Sequence, residues 1–294
     1  MLELLYKSMF CALEAGKIVM KFYGEEAYSL KADKSPLTQA DLESSRFLVE
    51  NLKLCSGLEV CSEEFVLSYD KRKELEFYWL IDPLDGTKEF IARKREFTIN
   101  IALIYANAPI LGVVYAPALN ELYFGGKDER GKGFGAFYAK DGLRGLDDIA
   151  PDVLINPKLA INNNILQYID SIKKPMRCDP APRAQLIACD SVYHSTLATQ
   201  EFIQAHNMQT LKKGSSLKLC ALANGEADIY PRFEGSKEWD TAAGDAILGE
   251  TGGVILDIDT KKPLLYNKPD IKNSHFIAFS PTQVRERIYM EILG

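Results

Sequence analysis

The strand-rich segment between residues 75 and 138 constrains the fold of this chain most. It contains runs of β-branched, aromatic and other apolar residues, "LEFYWLI", "FTINIALIYA", "PILGVVYAP" and "ELYFGG", separated by Gly, Pro and Asn turns. Such runs at short spacing predict an antiparallel meander, which "GGKDERGKGFGAFY" extends as a Gly-rich hairpin. Helical periodicity at residues 2–23 and at about 40–54 predicts two helices that cover this sheet.

After about residue 148 the pattern changes to short apolar strands that alternate with helices. The predicted strands are "DVLIN", "LIACD", "ADIYP" and "GGVILDI", and the helices lie near 195–206, 216–224 and 241–250. Alternation of this kind is typical of an α/β layer. We therefore predict an α+β half at residues 1–148 and an α/β half at residues 149–294, with the boundary in "KDGLRGLDDIAP".

Charge and composition exclude several classes of function. A net charge of −6 over 294 residues does not suit binding to a nucleic-acid polymer, because that affinity requires clustered Lys and Arg. Charged residues interrupt every apolar stretch before 18 residues, so we expect no integral membrane segment and a soluble, cytoplasmic protein, with peripheral inner-membrane association left open. The six cysteines and three histidines are scattered, which argues against a zinc site and a disulfide framework.

Two aspartates in "WLIDPLDGTKEF" are the first candidates for chemistry. Pro83 biases Asp82 away from helix, so Asp82 is expected to close an extended strand and Asp85 to fall in the turn. Thr87 is expected to open a helix whose free N–H groups attract an anion. Two carboxylates beside an anion site are compatible only if a cation lies between them; the alternative is a strand-ending turn capped by Asp.

Further oxygen donors occur along the chain. "VCSEEF" offers Glu63 and Glu64, and "EGSKEWDTAAGDA" places Asp240 at the start of a helix. "KADKSPLTQAD" contains Thr38-x-x-Asp41, a variant of the capping box. Taken singly, these residues are better explained as a surface pair, an N-cap and a capping box. As a set of oxygen ligands they favour Mg²⁺ or Mn²⁺ over zinc or copper.

In their order along the chain, the motifs resemble a known family. "SPLTQAD", "SEE", "DPLDGTKEF", "GSSLK" and "WDTAAGDA" are similar to motifs of the inositol monophosphatase superfamily of metal-dependent, lithium-sensitive phosphomonoesterases. Lys88-Glu89-Phe90 resembles the bacterial 3′(2′),5′-bisphosphate nucleotidase branch, whereas inositol phosphatases usually carry Thr-Asn-Phe there. The resemblance implies a layered αβαβα sandwich of the inositol monophosphatase/fructose-1,6-bisphosphatase type, with the site between the two halves.

The same resemblance implies a role for each matching residue. Asp41, Thr87 and Glu63 are the implied catalytic residues, with Asp41 polarising Thr87 to orient the attacking water. About two or three Mg²⁺ ions are held, by the same implication, by Glu63, Asp82, Asp85, Asp240 and the backbone carbonyl of Leu84. The implied substrate contacts are Asp85, Gly86, Thr87, Lys88, Gly214, Ser215, Ser216, Lys218, Arg232 and Asp240.

The reaction implied is Mg²⁺-dependent hydrolysis of the 3′-phosphate of adenosine 3′,5′-bisphosphate to AMP and phosphate. Some enzymes of this branch also act on 3′-phosphoadenylyl sulfate, and the branch serves sulfate assimilation and nucleotide recycling as a monomer or homodimer. An inositol monophosphatase, a sugar bisphosphatase and a non-catalytic phosphonucleotide sensor are the alternatives. One stretch departs from the branch: "DSVYHS" lacks the arginine of a "Ser-Arg-Ser-His"-like stretch, although His194 stands where the branch has its His.

Overall fold

The computed structural model describes residues 1–24, 28–31, 36–140, 143, 145–146, 163–178 and 181–293. Its helices are α1 (Leu2–Lys21), α2 (Gln39–Ser56), α3 (Tyr69–Arg72), α4 (Thr87–Ile91), α5 (Asn163–Ile172), α6 (Leu197–Ala205), α7 (Leu217–Ala223), α8 (Glu238–Thr251), α9 (Pro281–Arg285) and α10 (Ile288–Leu293). Its strands are β1 (Tyr28–Leu30), β2 (Pro36–Thr38), β3 (Glu59–Ser62), β4 (Phe77–Asp85), β5 (Thr98–Tyr105), β6 (Ala108–Ala116), β7 (Glu121–Lys127), β8 (Gly133–Ala139), β9 (Lys174–Pro175), β10 (Ile187–Ser191), β11 (Gln209–Lys213), β12 (Ile229–Arg232), β13 (Val254–Asp257) and β14 (Phe276–Phe279).

The larger sheet has the strand order β3-β4-β5-β6-β7-β8-β9 within the described residues. Strands β4 to β8 pair antiparallel in sequence order, as the meander prediction requires, whereas β3 runs parallel to β4. Helices α1 and α2 pack on one face of this sheet, where Leu5, Phe10, Leu48 and Trp79 are buried. The prediction of a helix-covered meander is confirmed.

The smaller sheet has the order β11-β10-β12-β14-β13. Strand β10 is parallel to β11 and β12, and β14 is antiparallel to β12 and β13. Helices α7 and α8 lie between the two sheets, in a core that joins Trp239 and Ile247 to Tyr123 of the larger sheet. Helices α6, α9 and α10 cover the outer face, where Ile203 and Val284 pack. The layers therefore follow the predicted αβαβα order.

Helix α8 is held between the sheet and helix α7 by close contacts at small residues. A Cβ atom added to Gly112 of β6 would lie 2.1 Å from the carbonyl oxygen of Ala243. A Cβ atom added to Gly244 would lie 2.5 Å from Leu219 Cδ1 of α7. Both distances are far inside van der Waals contact, so the Ala/Gly-rich sequence of α8 is a packing requirement. This packing also sets the position of Asp240 in the first turn of α8.

Two of the predictions concern residues that the structure does not describe. The strand "DVLIN" and the boundary near residue 148 lie outside the described residues, so the division into residues 1–148 and 149–294 stays a prediction. The remaining predicted strands and helices of the second half are observed as β10, β12, β13, α6, α7 and α8. In the parts of the chain that are described, no helix has the length and apolarity needed to cross a membrane.

Candidate active site

The end of β4 carries Asp82 and Asp85, and its course corrects one prediction. The strand does not end at Asp82 but continues to Asp85, with an irregularity in its pairing to β5 between the two aspartates. The irregularity occurs at Pro83, which has no N–H for the ladder. The N–H of Leu84 instead donates to Asp82 Oδ1 at 3.0 Å. The backbone of the strand itself therefore orients the first carboxylate.

Asp85 connects the larger sheet to the turn before α7. Its Oδ2 accepts hydrogen bonds from Asn100 Nδ2 of β5 at 3.3 Å and from Ser216 Oγ at 3.2 Å. It also accepts one from Ser215 Oγ at 2.5 Å. Because Ser215 and Ser216 directly precede α7, the Asp85 carboxylate lies where the larger sheet meets the helix layer between the sheets.

The residues that follow β4 orient a hydroxyl group. The chain turns through Gly86 at φ 89°, a left-handed conformation that favours glycine. Thr87 Oγ1 then donates to Asp41 Oδ1 at 3.2 Å and to the carbonyl oxygen of Leu84 at 3.3 Å. The backbone N–H and hydroxyl of Thr38 donate to Asp41 Oδ2 at 2.7 and 2.6 Å. The predicted capping box is confirmed, and it fixes the carboxylate that pairs with Thr87.

Lys31 is a site residue that the sequence analysis missed. Its Nζ lies 2.6 Å from Oε1 of Glu63 and 2.6 Å from Oε1 of Glu64. Burial lowers the pKa of Lys31, but the two carboxylates outweigh burial and raise it above its usual range. Lys31 follows the short strand β1 without any recognisable motif, so no local pattern indicated its position beside Glu63.

Burial makes the clustered carboxylates costly to ionise. The pKa of Asp82 is raised well above its usual range, first by burial and then by Glu63, Asp85 and Asp240. Burial and the charges of Asp85 and Glu63 raise the pKa of Asp240 to about 8. Burial also raises the pKa of Glu63, although Lys31 opposes this. Like charges repel in a poorly solvated site, so this cluster favours a bound cation.

The cluster matches a divalent cation by the chemistry of its donors. In the described part of the chain, no group of three His, Cys, Asp or Glu side chains is arranged to hold a metal ion by itself. The carboxylates of Glu63, Asp82, Asp85 and Asp240 nevertheless line the same cavity. Carboxylate oxygens, with water completing the shell, are the ligands that Mg²⁺ prefers. The donor set therefore fits Mg²⁺, with Lys31 partly neutralising the acidic side of the cavity.

The turn before α7 forms a second part of the cavity wall. Ser215 adopts φ 51°, and Ser216 Oγ donates to the carbonyl oxygen of Asp240 at 2.8 Å. The buried Lys218 donates from Nζ to the carbonyl oxygen of Ser215 at 2.6 Å. A Cβ atom on Gly214 would lie 2.4 Å from the carbonyl oxygen of Glu96. Gly214 and Lys218 thus hold the turn in place, while Ser215 and Ser216 line the cavity with hydroxyl groups that already contact Asp85.

Arg232 gives this second wall a positive charge. Its side chain is 9% exposed, and it reaches the carbonyl oxygens of His194 and Gly235 only at 3.5 and 3.4 Å. Its Nε has no hydrogen-bond partner among the described residues. Burial, then the charges of Arg232 and Lys88, lower the pKa of His194 to about 4. A guanidinium with an unused donor beside a neutral imidazole is suited to an anion.

One cavity of about 680 Å³ brings most of the predicted residues together. Asp41 lies behind Thr87 and Gly214 packs on Glu96, and neither lines the cavity. Glu89 does line it, with its pKa raised to about 7 by burial, and had not been predicted as a site residue. The predicted residues in the cavity wall are Glu63, Asp82, Leu84, Asp85, Gly86, Thr87, Lys88, Ser215, Ser216, Lys218, Arg232 and Asp240.

The fold and the site define a layered αβαβα protein in which one cavity is lined by two unlike sets of residues. The acidic wall is Glu63, Asp82, Asp85 and Asp240, and the cationic wall is Lys88 and Arg232. The inositol monophosphatase family model matches residues 2–292, and the chain belongs to this family. The 3′(2′),5′-bisphosphate nucleotidase CysQ of Salmonella typhimurium is 34% identical over 253 residues, which are 84% of this chain and 87% of the relative. The CysQ of Haemophilus influenzae is 34% identical over 279 residues, which are 94% of this chain and 92% of the relative.

Solved structures agree with this assignment. The crystal structure of CysQ from Bacteroides thetaiotaomicron, a bacterial member of the inositol monophosphatase family, is 35% identical, with a TM-score of 0.77. The alignment covers 94% of this chain and 97% of that one. An IMPase of Thermotoga maritima, 22% identical with a TM-score of 0.69 over 98% of both chains, shares the fold. The family resemblance and the sandwich fold predicted from sequence are confirmed.

Proposed function

We propose that this chain is a Mg²⁺-dependent 3′(2′),5′-bisphosphate nucleotidase that hydrolyses adenosine 3′,5′-bisphosphate to AMP and phosphate. The observation that carries the proposal is that one cavity is lined both by buried carboxylates and by the cations Lys88 and Arg232. A metal-bound phosphate monoester with a further anionic group matches both walls. Curated relatives named as bisphosphate nucleotidases, aligned over most of the chain, support the same choice.

The acidic wall has the residues that such a reaction requires. Glu63, Asp82, Asp85, Asp240 and the carbonyl oxygen of Leu84 would hold the metal in this proposal, with two or three ions as the expected number. Bound Mg²⁺ would neutralise phosphate oxygens, lower the pKa of a water molecule and stabilise the leaving oxygen.

Asp41 and Thr87 would orient the attacking water. Thr87 Oγ1 lies 3.2 Å from Asp41 Oδ1, and Thr38 fixes the other oxygen of this carboxylate. The Thr87 hydroxyl is thereby held in one direction, from which its oxygen accepts a hydrogen bond from water. Water attacks phosphorus, the bond to the 3′-oxygen breaks, and that oxygen takes up a proton to give the 3′-hydroxyl of AMP.

The second wall would hold the rest of the nucleotide. Lys88 and Arg232 line the cavity with cationic donors. Ser215 and Ser216 also line it but already donate to Asp85, and Lys218 and Gly214 contribute by shaping the turn. A nucleotide with a 5′-phosphosulfate group is a reasonable second substrate for this wall. We expect the enzyme to act in the cytoplasm on a small molecule, as a monomer or homodimer, in sulfate assimilation and nucleotide recycling.

A substrate panel tests the proposal. Phosphate release is measured from adenosine 3′,5′-bisphosphate, inositol 1-phosphate and fructose 1,6-bisphosphate, each with Mg²⁺ and with a chelator. We expect Mg²⁺-dependent turnover with the highest kcat/KM for the nucleotide. Preference for the inositol ester or the sugar bisphosphate would overturn the nucleotide assignment. The absence of metal-dependent turnover on all three substrates would overturn the proposal that the chain is an enzyme.

A further inference from the structure

An exposed aromatic ring and a lysine meet at the rim of the cavity. The ring of Tyr193 is contacted by Lys94, whose Nζ lies 4.7 Å from the ring centroid. Tyr193 is 38% exposed, so much of the ring is in contact with water although a cation approaches it. Exposed tyrosine rings beside a charged cavity are common contact surfaces for planar ligands, since they offer a large apolar face at low entropic cost.

The turn that carries Tyr193 is fixed at its base. Asp190 is buried, and its carboxylate accepts hydrogen bonds from the N–H of Ser191 at 2.7 Å, from Ser195 Oγ at 2.7 Å and from Lys212 Nζ at 2.5 Å. The N–H of His194 donates to Ser191 Oγ at 3.0 Å across the turn. Both ends of the turn are therefore held, and the ring at its apex is positioned before any ligand binds.

The pair lies next to the cavity on both sides. Ser191 and His194, which flank the apex of the turn, line the cavity. Lys94 belongs to the segment after α4, where its N–H donates to the carbonyl oxygen of Glu89 at 2.8 Å, and Glu89 lines the cavity too. Tyr193 and Lys94 thus connect the turn after β10 to the segment after α4 at the cavity rim.

We propose that Tyr193, backed by Lys94, is the platform on which the base of the substrate stacks. This inference rests on the proposed function and deepens it, because it makes Tyr193 a residue that selects nucleotides over esters without a base. Lys94 covers part of the ring and supports it by a cation–π contact, and the exposed part receives the base. The "DSVYHS" stretch has no arginine, and the platform gives it a different means of holding a nucleotide.

The test compares Tyr193→Ala and Tyr193→Phe on two substrates, adenosine 3′,5′-bisphosphate and glycerol 2-phosphate. Tyr193→Ala is expected to lose roughly 10-fold or more in kcat/KM for the nucleotide, mainly through KM, because stacking on an aromatic residue contributes on this scale. Its activity on glycerol 2-phosphate stays at the wild-type level. Tyr193→Phe keeps the ring and retains activity on both substrates.

The matched control is Tyr69→Ala. Tyr69 is 36% exposed, and its ring centroid lies 6.0 Å from Lys73 Nζ. Tyr69 and Lys73 are therefore a similar pair of ring and lysine, and Tyr69 does not line the cavity. Tyr69→Ala is expected to leave the kcat/KM for both substrates at the wild-type level. If Tyr193→Ala lost kcat/KM equally on both substrates, or lost none on the nucleotide, the proposal that Tyr193 is a platform would be overturned.

A binding measurement separates this inference from the proposed function. Calorimetric titration with AMP is carried out on the wild type and on Tyr193→Ala in the presence of Mg²⁺. If the wild type hydrolyses glycerol 2-phosphate but not the nucleotide, the proposed function fails. The platform is then judged by AMP alone: weaker binding to Tyr193→Ala supports it, whereas unchanged binding, or no binding to the wild type, overturns it.

Discussion

The two walls of the cavity are held in different ways. The acidic wall is continuous with β4, where Asp82 is 2% exposed and is hydrogen-bonded to the backbone of its own strand at 3.0 Å. The cationic wall is held less firmly, because Arg232 at the end of β12 reaches carbonyl oxygens only at 3.4 and 3.5 Å. A neighbouring loop exposes Tyr193 to water. Asp82 has its partner in place, whereas Arg232 keeps one donor, Nε, without a partner among the described residues.

This difference separates reaction from recognition. In the proposed reaction, carboxylates that share cations must be held at constant distances, and the buried strand β4 provides that rigidity for Asp82 and Asp85. A wall that receives a ligand benefits from donors with weak internal partners, because the ligand then displaces only weak hydrogen bonds within the protein. Changes in the acidic wall are therefore expected to abolish turnover on every substrate, whereas changes in the cationic wall are expected to alter which substrate is preferred.

The largest effect is expected for Asp85→Asn in the acidic wall. The amide keeps the shape of the side chain but removes a charge from the carboxylate cluster, so turnover should fall by about 10³-fold on nucleotide and base-free esters alike. Initial rates of phosphate release measure this loss, and circular dichroism checks the fold. Glu129→Gln, at the exposed tip of the β7–β8 hairpin, is the control. Activity of Asp85→Asn within 10-fold of the wild type would contradict the assignment.

A smaller and selective effect is expected for Arg232→Ala. Loss of one charge-assisted contact should lower kcat/KM for adenosine 3′,5′-bisphosphate by ~10- to 100-fold. Glycerol 2-phosphate should be affected much less, because it has no second anionic group. Arg130→Ala removes the same charge from the β7–β8 turn and serves as the control. Equal losses on both esters would mean that the two walls do not divide reaction from recognition.

The contact between α8 and β6 is tested by Gly112→Ala. The new Cβ would meet the carbonyl oxygen of Ala243 at 2.1 Å, so α8 must shift, at a cost of about 1–3 kcal/mol in the free energy of unfolding. Urea unfolding followed by circular dichroism measures it. Gly249→Ala, in the same helix, meets nothing within 4 Å and should stabilise by about 0.5–1 kcal/mol. If the two variants were equally stable, α8 would not be closely packed on β6.

The smallest effect concerns the pH dependence of stability. The pKa of His194 is about 4 in the folded protein against 6.5 for the free group, so the unfolded chain takes up this proton first as pH falls. The corresponding stability is present above pH 6.5 and is lost as pH falls towards 4. Its side chain is 41% exposed, so water screens the neighbouring charges and the effect is small.

His194→Gln removes that contribution. Between pH 7 and 4 its Tm should fall slightly less than the Tm of the wild type, as measured by differential scanning calorimetry in the presence of chelator. His206→Gln, at the end of α6, is the control for removal of an imidazole. An identical decline of Tm in His194→Gln and the wild type would show that the cationic wall does not disfavour a charged imidazole.

The layers of the fold could be predicted because their signals are local. Each strand of the meander has its own apolar run and turn, and α1 and α2 have their own periodicity. The predicted end of β4 at Asp82 was wrong, because the rule for the residue before Pro83 considers only neighbours in sequence. The pairing of Asp85 with Thr98 of β5 continues the strand beyond the proline, and no local pattern contains that contact.

The candidate site was predictable where a motif marked it and not elsewhere. The capping box of Asp41 and the aspartates of β4 were identified from short patterns and lie together in the structure. Lys31 carries no such pattern, and its 2.6 Å contact with Glu63 depends on how the β1–β2 ribbon approaches β3. Lys94 and Tyr193 are separated by about a hundred residues, so only the folded chain brings them together.

The sequence by itself determined the kinds of groups available: oxygen donors at the end of a strand, a capped helix beside them and a glycine that turns the chain. Tertiary structure alone decided which of these groups share a cavity and how their charges interact. Asp240 shows the reason, because burial and the charges of Asp85 and Glu63 raise its pKa to about 8. Electrostatic energy depends on distance and solvent exposure, and both are properties of the fold.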